Sequence, residues 1–310
     1  MPLASQKGLL MSPDKPRPLS KRSVLDRAKS AGVKGDVALR DLAFNQLLAR
    51  IDAHAPGSFM LKGAQALRVR QVSSRATRDL DLRSSAGTVA LAVDTLVAAI
   101  GTDLGDGMMF QVSREPAPLG HDHTGGSIGV NIRVEALLGG EFIASVSIDL
   151  VTGRDPSGPV ARLPRPMDIA LPGIFEAHID TYPVEDHIAD KVWATMTLYG
   201  DRPSSRPRDL YDLFAFAFAL RSEPEALALG AALEEERMRR GIAATASFNV
   251  PPDWQAEWRA LMTTYPDRDF PTDFGDALGL VRLLLEPVLA GEVTRGRWDP
   301  AAASWAVEER

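Results

Sequence analysis

Apolar residues recur at helical spacing between Asp36 and His54, where Leu39, Leu42, Leu47, Leu48 and Ile51 share one stripe and Pro56-Gly57 ends the run. Phe59-Met60-Leu61 is a short apolar run that leads through Lys62-Gly63-Ala64 into a helix reaching about Arg70. Residues 73 to 77 are a polar connection, Asp79 to Leu82 alternates as a strand does, and a helix is predicted over Thr88 to Ile100. Three extended segments follow, Met108 to Arg114, Ser127 to Ala136 and Glu141 to Val151, with Gly139-Gly140 as a hairpin turn. The Pro-rich stretch from Asp155 to Pro172 is predicted to be a linker. Beyond it the pattern is helical, over about Val184–Tyr199, Arg208–Arg221, Ala226–Arg239, Trp254–Tyr265 and Asp276–Ala290, with Gly241 and Gly291 as C-caps.

These elements predict an α+β chain in three parts: a basic N-terminal arm over residues 1–34, a mixed core over 35–165 and a helical C-terminal domain over 166–310. Composition is that of a globular protein, with 45% hydrophobic and 25% charged residues. No stretch approaches the roughly 20 apolar residues of a membrane-spanning helix, and no apolar run follows the basic N-terminus as in a signal peptide. The absence of cysteine removes disulfides, thiolate metal sites and cysteine nucleophiles together, and a cytoplasmic location is expected. The net charge of -6 argues against indiscriminate coating of nucleic acid. The distribution is uneven, however: residues 1 to 40 carry nine Lys or Arg against three Asp, and a second basic cluster includes Lys62, Arg68, Arg70, Arg75, Arg78 and Arg83.

The informative chemistry begins at Arg78-Asp79-Leu80-Asp81-Leu82. Alternate side chains of a strand share a face, so Asp79 and Asp81 point one way while Leu80 and Leu82 enter the core. The two carboxylates start roughly 6–7 Å apart at the backbone. At an effective dielectric near 20 they repel by about 2.5 kcal/mol. A compensating cation is therefore expected, and Mg²⁺, which takes a few carboxylates plus water and phosphate oxygens, suits them. On the later strand Phe142, Ala144, Val146, Ile148 and Leu150 form one face, which leaves Asp149 as the lone carboxylate of the other. If the two strands are neighbours, three carboxylates converge as a metal-assisted phosphoryl displacement requires. Upstream, Lys62-Gly63-Ala64 takes a strand into a helix, where free backbone N–H groups form a ready anion site and Gly63 permits close approach.

In combination, "FMLKGAQALRVR" and "SSRATRDLDL" resemble the glycine motif and the DLD motif of AbiEii/AbiGii-type toxins, nucleotidyltransferases of the DNA polymerase β-like superfamily from type IV toxin–antitoxin systems. The resemblance continues in order through Asp149 in "VSIDLV", Lys191 in "HIADKVWATM" and Arg208, Asp209 and Asp212 in "RPRDLYDLFAF", spanning roughly residues 59 to 216. It implies a polymerase β-like nucleotidyltransferase core followed by a helical domain. It further implies that Asp79, Asp81 and Asp149 are metal ligands, that Lys191 contacts the NTP phosphates and that Asp209 orients Lys191. Lys62, Gly63, Ala64 and Asp212 complete the expected nucleotide site, with Asp212 alternatively paired to Arg208.

The implied reaction is transfer of a nucleotide from an NTP to an acceptor, foremost the 3′ end of tRNA, which would block translation. Transfer to a protein hydroxyl, or a catalytically weak NTP- or RNA-binding module, are the alternatives. The implied antitoxin forms no stable complex with the toxin. One departure stands out. Where the family has a second Gly and then Ser or Thr, this chain has Ala64, which offers the triphosphate no hydroxyl, and Gln65, which substitutes in part. His121 and His123 flank Asp122 in a Gly-rich loop without a further ligand nearby and are read as solvated. Trp254, Trp258 and Met262 read as a core stripe, and Glu234 to Arg240 as an exposed helix end.

Overall fold

Helix α1 (Lys21–Ser30) lies against helix α2 (Gly35–His54) and buries Val24 and Ala28 there. Ser20 caps it in a reciprocal box with Ser23. The computed structural model describes residues 19–73, 77–119, 128–153, 155–220, 224–265, 270 and 272–306. Of the segment expected as a basic arm over 1–34, residues 21–30 form this helix. Its basic residues had masked the short Val24/Ala28 stripe.

Helix α2 is buried along most of its length, which requires partners for its polar residues. Arg50 is wholly buried and forks onto Asp106, at 2.7 Å to Oδ1 and 2.9 Å to Oδ2. Asn45 and Gln46 both donate to the Phe175 carbonyl.

The strands are β1 (Phe59–Lys62), β2 (Asp79–Ser84), β3 (Met108–Val112), β4 (Ala117–Pro118), β5 (Ile128–Leu138), β6 (Glu141–Thr152), β7 (Ala161–Pro164) and β8 (His178–Thr181). They form one mixed sheet in the order β3-β5-β6-β2-β1-β8-β7, with β4 paired beside β5. Strands β5 and β6 are the predicted hairpin, turning at Gly139 and Gly140 with φ of +60° and +82°, the left-handed region that glycine enters freely. Parallel pairing of β2 with β6 aligns Asp81 with Asp149, and antiparallel pairing of β1 with β2 aligns Lys62 with Asp81. Alternation sends Leu80, Leu82, Val146, Ile148, Ile132 and Val134 into the core beneath α2 and helix α4 (Val89–Ile100). The short helix α3 (Gly63–Val69) connects β1 towards β2.

The second half packs α5 (Val184–Met196), α6 (Pro207–Ala219), α7 (Ala226–Arg240), α8 (Trp254–Thr264) and α9 (Phe274–Leu289), followed by the hairpin of β9 (Arg297–Asp299) and β10 (Ser304–Ala306). Its core is aromatic. Trp193, Phe214, Trp254 and Trp258 are fully buried, each stabilising by roughly 2–3 kcal/mol on area alone. The fold is thus a mixed α+β protein with a central mixed sheet, flanking helices and a helical C-terminal half. Strand β7 lies inside the predicted linker, β8 bonds to β1, and the first core runs on to Ile179 before the second takes over at Val184. Among the described residues no helix is long and apolar enough to cross a membrane.

Candidate active site

The sheet and the helical half enclose a cleft of about 1130 Å³ between them. Asp79, Asp81 and Asp149 line it, and so do Lys191, Asp209 and Asp212 from the helices. Lys62, Gly63 and Ala64 lie in the same wall. The structure therefore brings all nine sequence-predicted residues to one place. That volume lies near the upper end of what small-ligand clefts offer, roughly 300–1,000 Å³.

The carboxylates are positioned by strand geometry. Asp79 and Asp81 project from the polar face of β2, whose other face carries the buried Leu80 and Leu82. The Asp79 N–H donates to Thr77 Oγ1 at 3.2 Å, which steadies the start of the strand. In register with Asp81 across the parallel pair is Asp149. Next to it on β5 stands Asn131, whose Nδ2 donates to Asp149 Oδ1 at 2.6 Å and to Ser147 Oγ at 2.8 Å. Desolvation, reinforced by the Asp149 charge, pushes the Asp81 carboxyl up to about 6. Asp79 lies at the exposed rim and is also raised, by what burial the cleft imposes and by Asp149, against the opposing pull of Arg208, Arg133 and Arg78.

Such like-charge crowding stabilises nothing by itself, and a cation relieves it. Oxygen donors from one strand face and its neighbour fit a hard divalent ion. As the chain stands, no group of three or more His, Asp or Glu among the described residues is close enough to hold a metal ion.

The lysine side is built from the helices. Lys191 is buried, and its Nζ donates to Asp212 Oδ2 at 2.7 Å and Asp209 Oδ1 at 3.1 Å. Asp209 and Asp212 are one turn apart on α6, so both face α5 and hold the lysine stem between them. Arg206 closes on the other oxygen of Asp209 at 2.9 Å.

Gly63 has φ +62°, and a β-carbon there would stand 1.8 Å from Asp81 Oδ2. Glycine is thus required twice at this corner, by backbone and by space. Lys62 is held by Asp190 at 2.5 Å and lies over the Tyr182 ring, 4.2 Å from its centre. Gln65 is buried and accepts from Arg165 Nη2 at 3.2 Å, within a cluster that includes Asp41. It is turned away from the cleft and does not stand in for the missing hydroxyl beside Ala64.

Sequence reasoning missed Asn131, Asp190 and Arg206. The polar face of the β5 alternation contains Asn131, so that signal was present, whereas the pairings of Asp190 and Arg206 depend on tertiary contacts. His187 also lines the cleft, and burial, with Lys191 and Lys62 nearby, holds its imidazole well below the ordinary range and therefore neutral. The Glu234 to Arg240 segment is only partly the exposed helix end expected. Glu236 is buried and carries both Arg239 and Arg240, which line the cleft. The predicted core stripe of Trp254, Trp258 and Met262 is buried. His121, His123 and Arg75 lie outside the described residues.

Comparison with known proteins bears on this geometry. A crystal structure of a candidate nucleotidyltransferase from Helicobacter pylori aligns at 14% identity and a TM-score of 0.45, covering 84% of this chain and 99% of that one. The Helicobacter pylori protein JHP933 aligns at 14% identity and a TM-score of 0.42, covering 84% and 95%. No curated protein matches. The family model described as nucleotidyl transferase AbiEii toxin, type IV TA system, matches residues 46–279, which span both halves of the fold and every wall of the cleft described above. The chain belongs to the AbiEii family of nucleotidyl transferase toxins.

Proposed function

We propose that this protein transfers a nucleotide from an NTP to RNA, with the 3′ end of tRNA as the leading acceptor, and that Asp79, Asp81 and Asp149 hold Mg²⁺ for the reaction. The observation that carries the reading is the placement of three carboxylates on one sheet face opposite a buried, doubly held lysine in a single cleft. Bound there, Mg²⁺ would neutralise charge developing on the phosphate oxygens. Lys191, fixed by Asp209 and Asp212, binds the β- and γ-phosphates and favours departure of pyrophosphate. The acceptor hydroxyl attacks the α-phosphorus as the bond to the pyrophosphate oxygen breaks. Asn131 keeps one Asp149 oxygen fixed, and the other oxygen would be the one to hold the ion. Lys62, Gly63 and the backbone beside Ala64 complete the phosphate wall. The division of labour is a sheet domain carrying the carboxylates and a helical domain carrying the lysine. The cognate antitoxin acts without a lasting complex.

Ala64, with Gln65 turned away onto Arg165, favours a second reading: a module that binds NTP or RNA with little turnover. Incubation with Mg²⁺ and each labelled NTP, beside total RNA and beside protein lysate, separates the possibilities. Label on RNA supports the proposal, and label on a protein hydroxyl redirects it to that acceptor. Label on neither, with NTP still bound, supports the module.

A further inference from the structure

The polar face of the sheet continues past the carboxylates, away from Lys191. Asp79, Ser147 and Arg133 stand side by side in one row across β2, β6 and β5. Strand spacing puts the Asp79 and Arg133 backbones about 10 Å apart. Ser145, Arg133 and Glu135 are exposed on that face, while α2 and α4 cover the opposite one. The Arg133 guanidinium makes no hydrogen bond or ion pair with any described residue. Arg78, exposed before β2, adds a second cation next to Asp79.

Cations thus flank the carboxylates across the sheet, Lys62 on β1 at one side and Arg133 on β5 at the other, with Arg78 leading into β2 and Arg208 acting on Asp79 from the helical half. In-line displacement makes the two sides unequal. The hydroxyl enters opposite the departing pyrophosphate. If the lysine side takes the triphosphate, the Arg133 side receives the acceptor. An exposed arginine beside an acidic site is matched by a phosphodiester, whose charge it neutralises and whose oxygens its fork can bind. Glu135, the next side chain on that face of β5, bounds the patch.

We infer that Arg133, with Arg78, binds the backbone phosphates of the acceptor's terminal nucleotides, so that the open face of β5 and β6 is the RNA-docking surface. This rests on the proposed transfer to RNA for its chemistry, but docking can be measured separately. The test uses the full chain and an RNA with a single-stranded 3′ end. Binding is measured across a salt series without NTP, NTP affinity is measured alone, and KM for RNA is measured under transfer conditions. Arg133→Ala is the cleaner variant because it adds no charge beside Asp79. Arg133→Glu enlarges the effect, and Arg259→Ala, an exposed arginine elsewhere, is the control.

We expect Arg133→Glu to weaken RNA binding and raise KM for RNA about tenfold or more, with NTP affinity changed less than about twofold. Arg133→Ala should lower the slope of log affinity against log salt by about one, and Arg133→Lys should restore most of the binding. Unchanged RNA binding in both Arg133→Ala and Arg133→Glu, or an equal loss in Arg259→Ala, overturns the inference. Should the wild type bind RNA yet transfer nothing to it, with binding still weakened by Arg133→Ala, the docking surface stands and the proposed reaction fails. A wild type that binds no RNA removes both.

Discussion

Gly63 and Asp81 are packed so closely that a β-carbon on the first would stand 1.8 Å from a carboxylate oxygen of the second. The contact lies in the β1–β2 pairing, where the residue before Gly63 is in register with Asp81. Gly63→Ala should therefore displace a proposed metal ligand as well as strain a backbone at φ +62°. We expect transfer to fall by at least about a hundredfold and stability by roughly 1–3 kcal/mol. Steady-state transfer and denaturant unfolding measure the two. Normal transfer by Gly63→Ala would show that Asp81 needs no such space.

Asp81→Asn should separate stability from activity. In the fold the Asp81 carboxyl lies at about 6, above its ordinary value of 3.8, because burial and Asp149 disfavour its charge. A raised acid stabilises the fold relative to its ionised form below pH 4, and that advantage is lost as pH rises through 6. The neutral amide removes this penalty. After discounting for the open cleft, the gain at pH 7.5 without metal is roughly 1–2 kcal/mol, and it vanishes near pH 4. Thermal melts at both pH values test the sign. An equal difference at the two would refute the electrostatic account, and transfer by this variant should be lost.

Asn131 touches Asp149 and is expected to act through it. Removal of a partner that orients a ligand commonly costs 10–100-fold. Asn131→Ala should lower kcat by about that factor with little change in NTP affinity, because the triphosphate side of the cleft is untouched. A loss confined to NTP affinity would contradict the assignment.

Lys191 is buried against two carboxylates, so its removal leaves uncompensated charge. Lys191→Met is expected to destabilise the fold by about 3–5 kcal/mol and abolish transfer. Adding Asp212→Asn should recover part of the stability and none of the activity. If the double variant is no more stable than the single one, the carboxylate pair is not what Lys191 neutralises.

The site was legible in the sequence to the extent that it rests on strand alternation. The shared face of Asp79 and Asp81 and the lone carboxylate of Asp149 follow from period-two patterning beside buried leucines and isoleucines, their expected roles follow only from the family resemblance, and the long helices follow from apolar spacing. What was hidden depends on partners distant in sequence. Strand β8 has four residues, two of them charged or titratable, and becomes a strand because β1 and β7 pair with it on either side. Lys62 has a partner 128 residues away, Asp190, that no local pattern in the sequence announces. Gln65 was expected near the ligand and is drawn inward by Arg165, whose own position depends on Asp41 of α2.

Helix α3 begins at Gly63 against Asp81, and within its two turns Ala66 and Val69 join the sheet core while Leu67 joins the helical one. Three of its seven residues therefore anchor it, two in the sheet core and one in the helical core. Any shear between the lysine half and the carboxylate half must bend this short rod or drag the end of β1 with it. The end of β1 that carries Lys62, and with it the corner where Gly63 meets Asp81, is anchored in both cores at once.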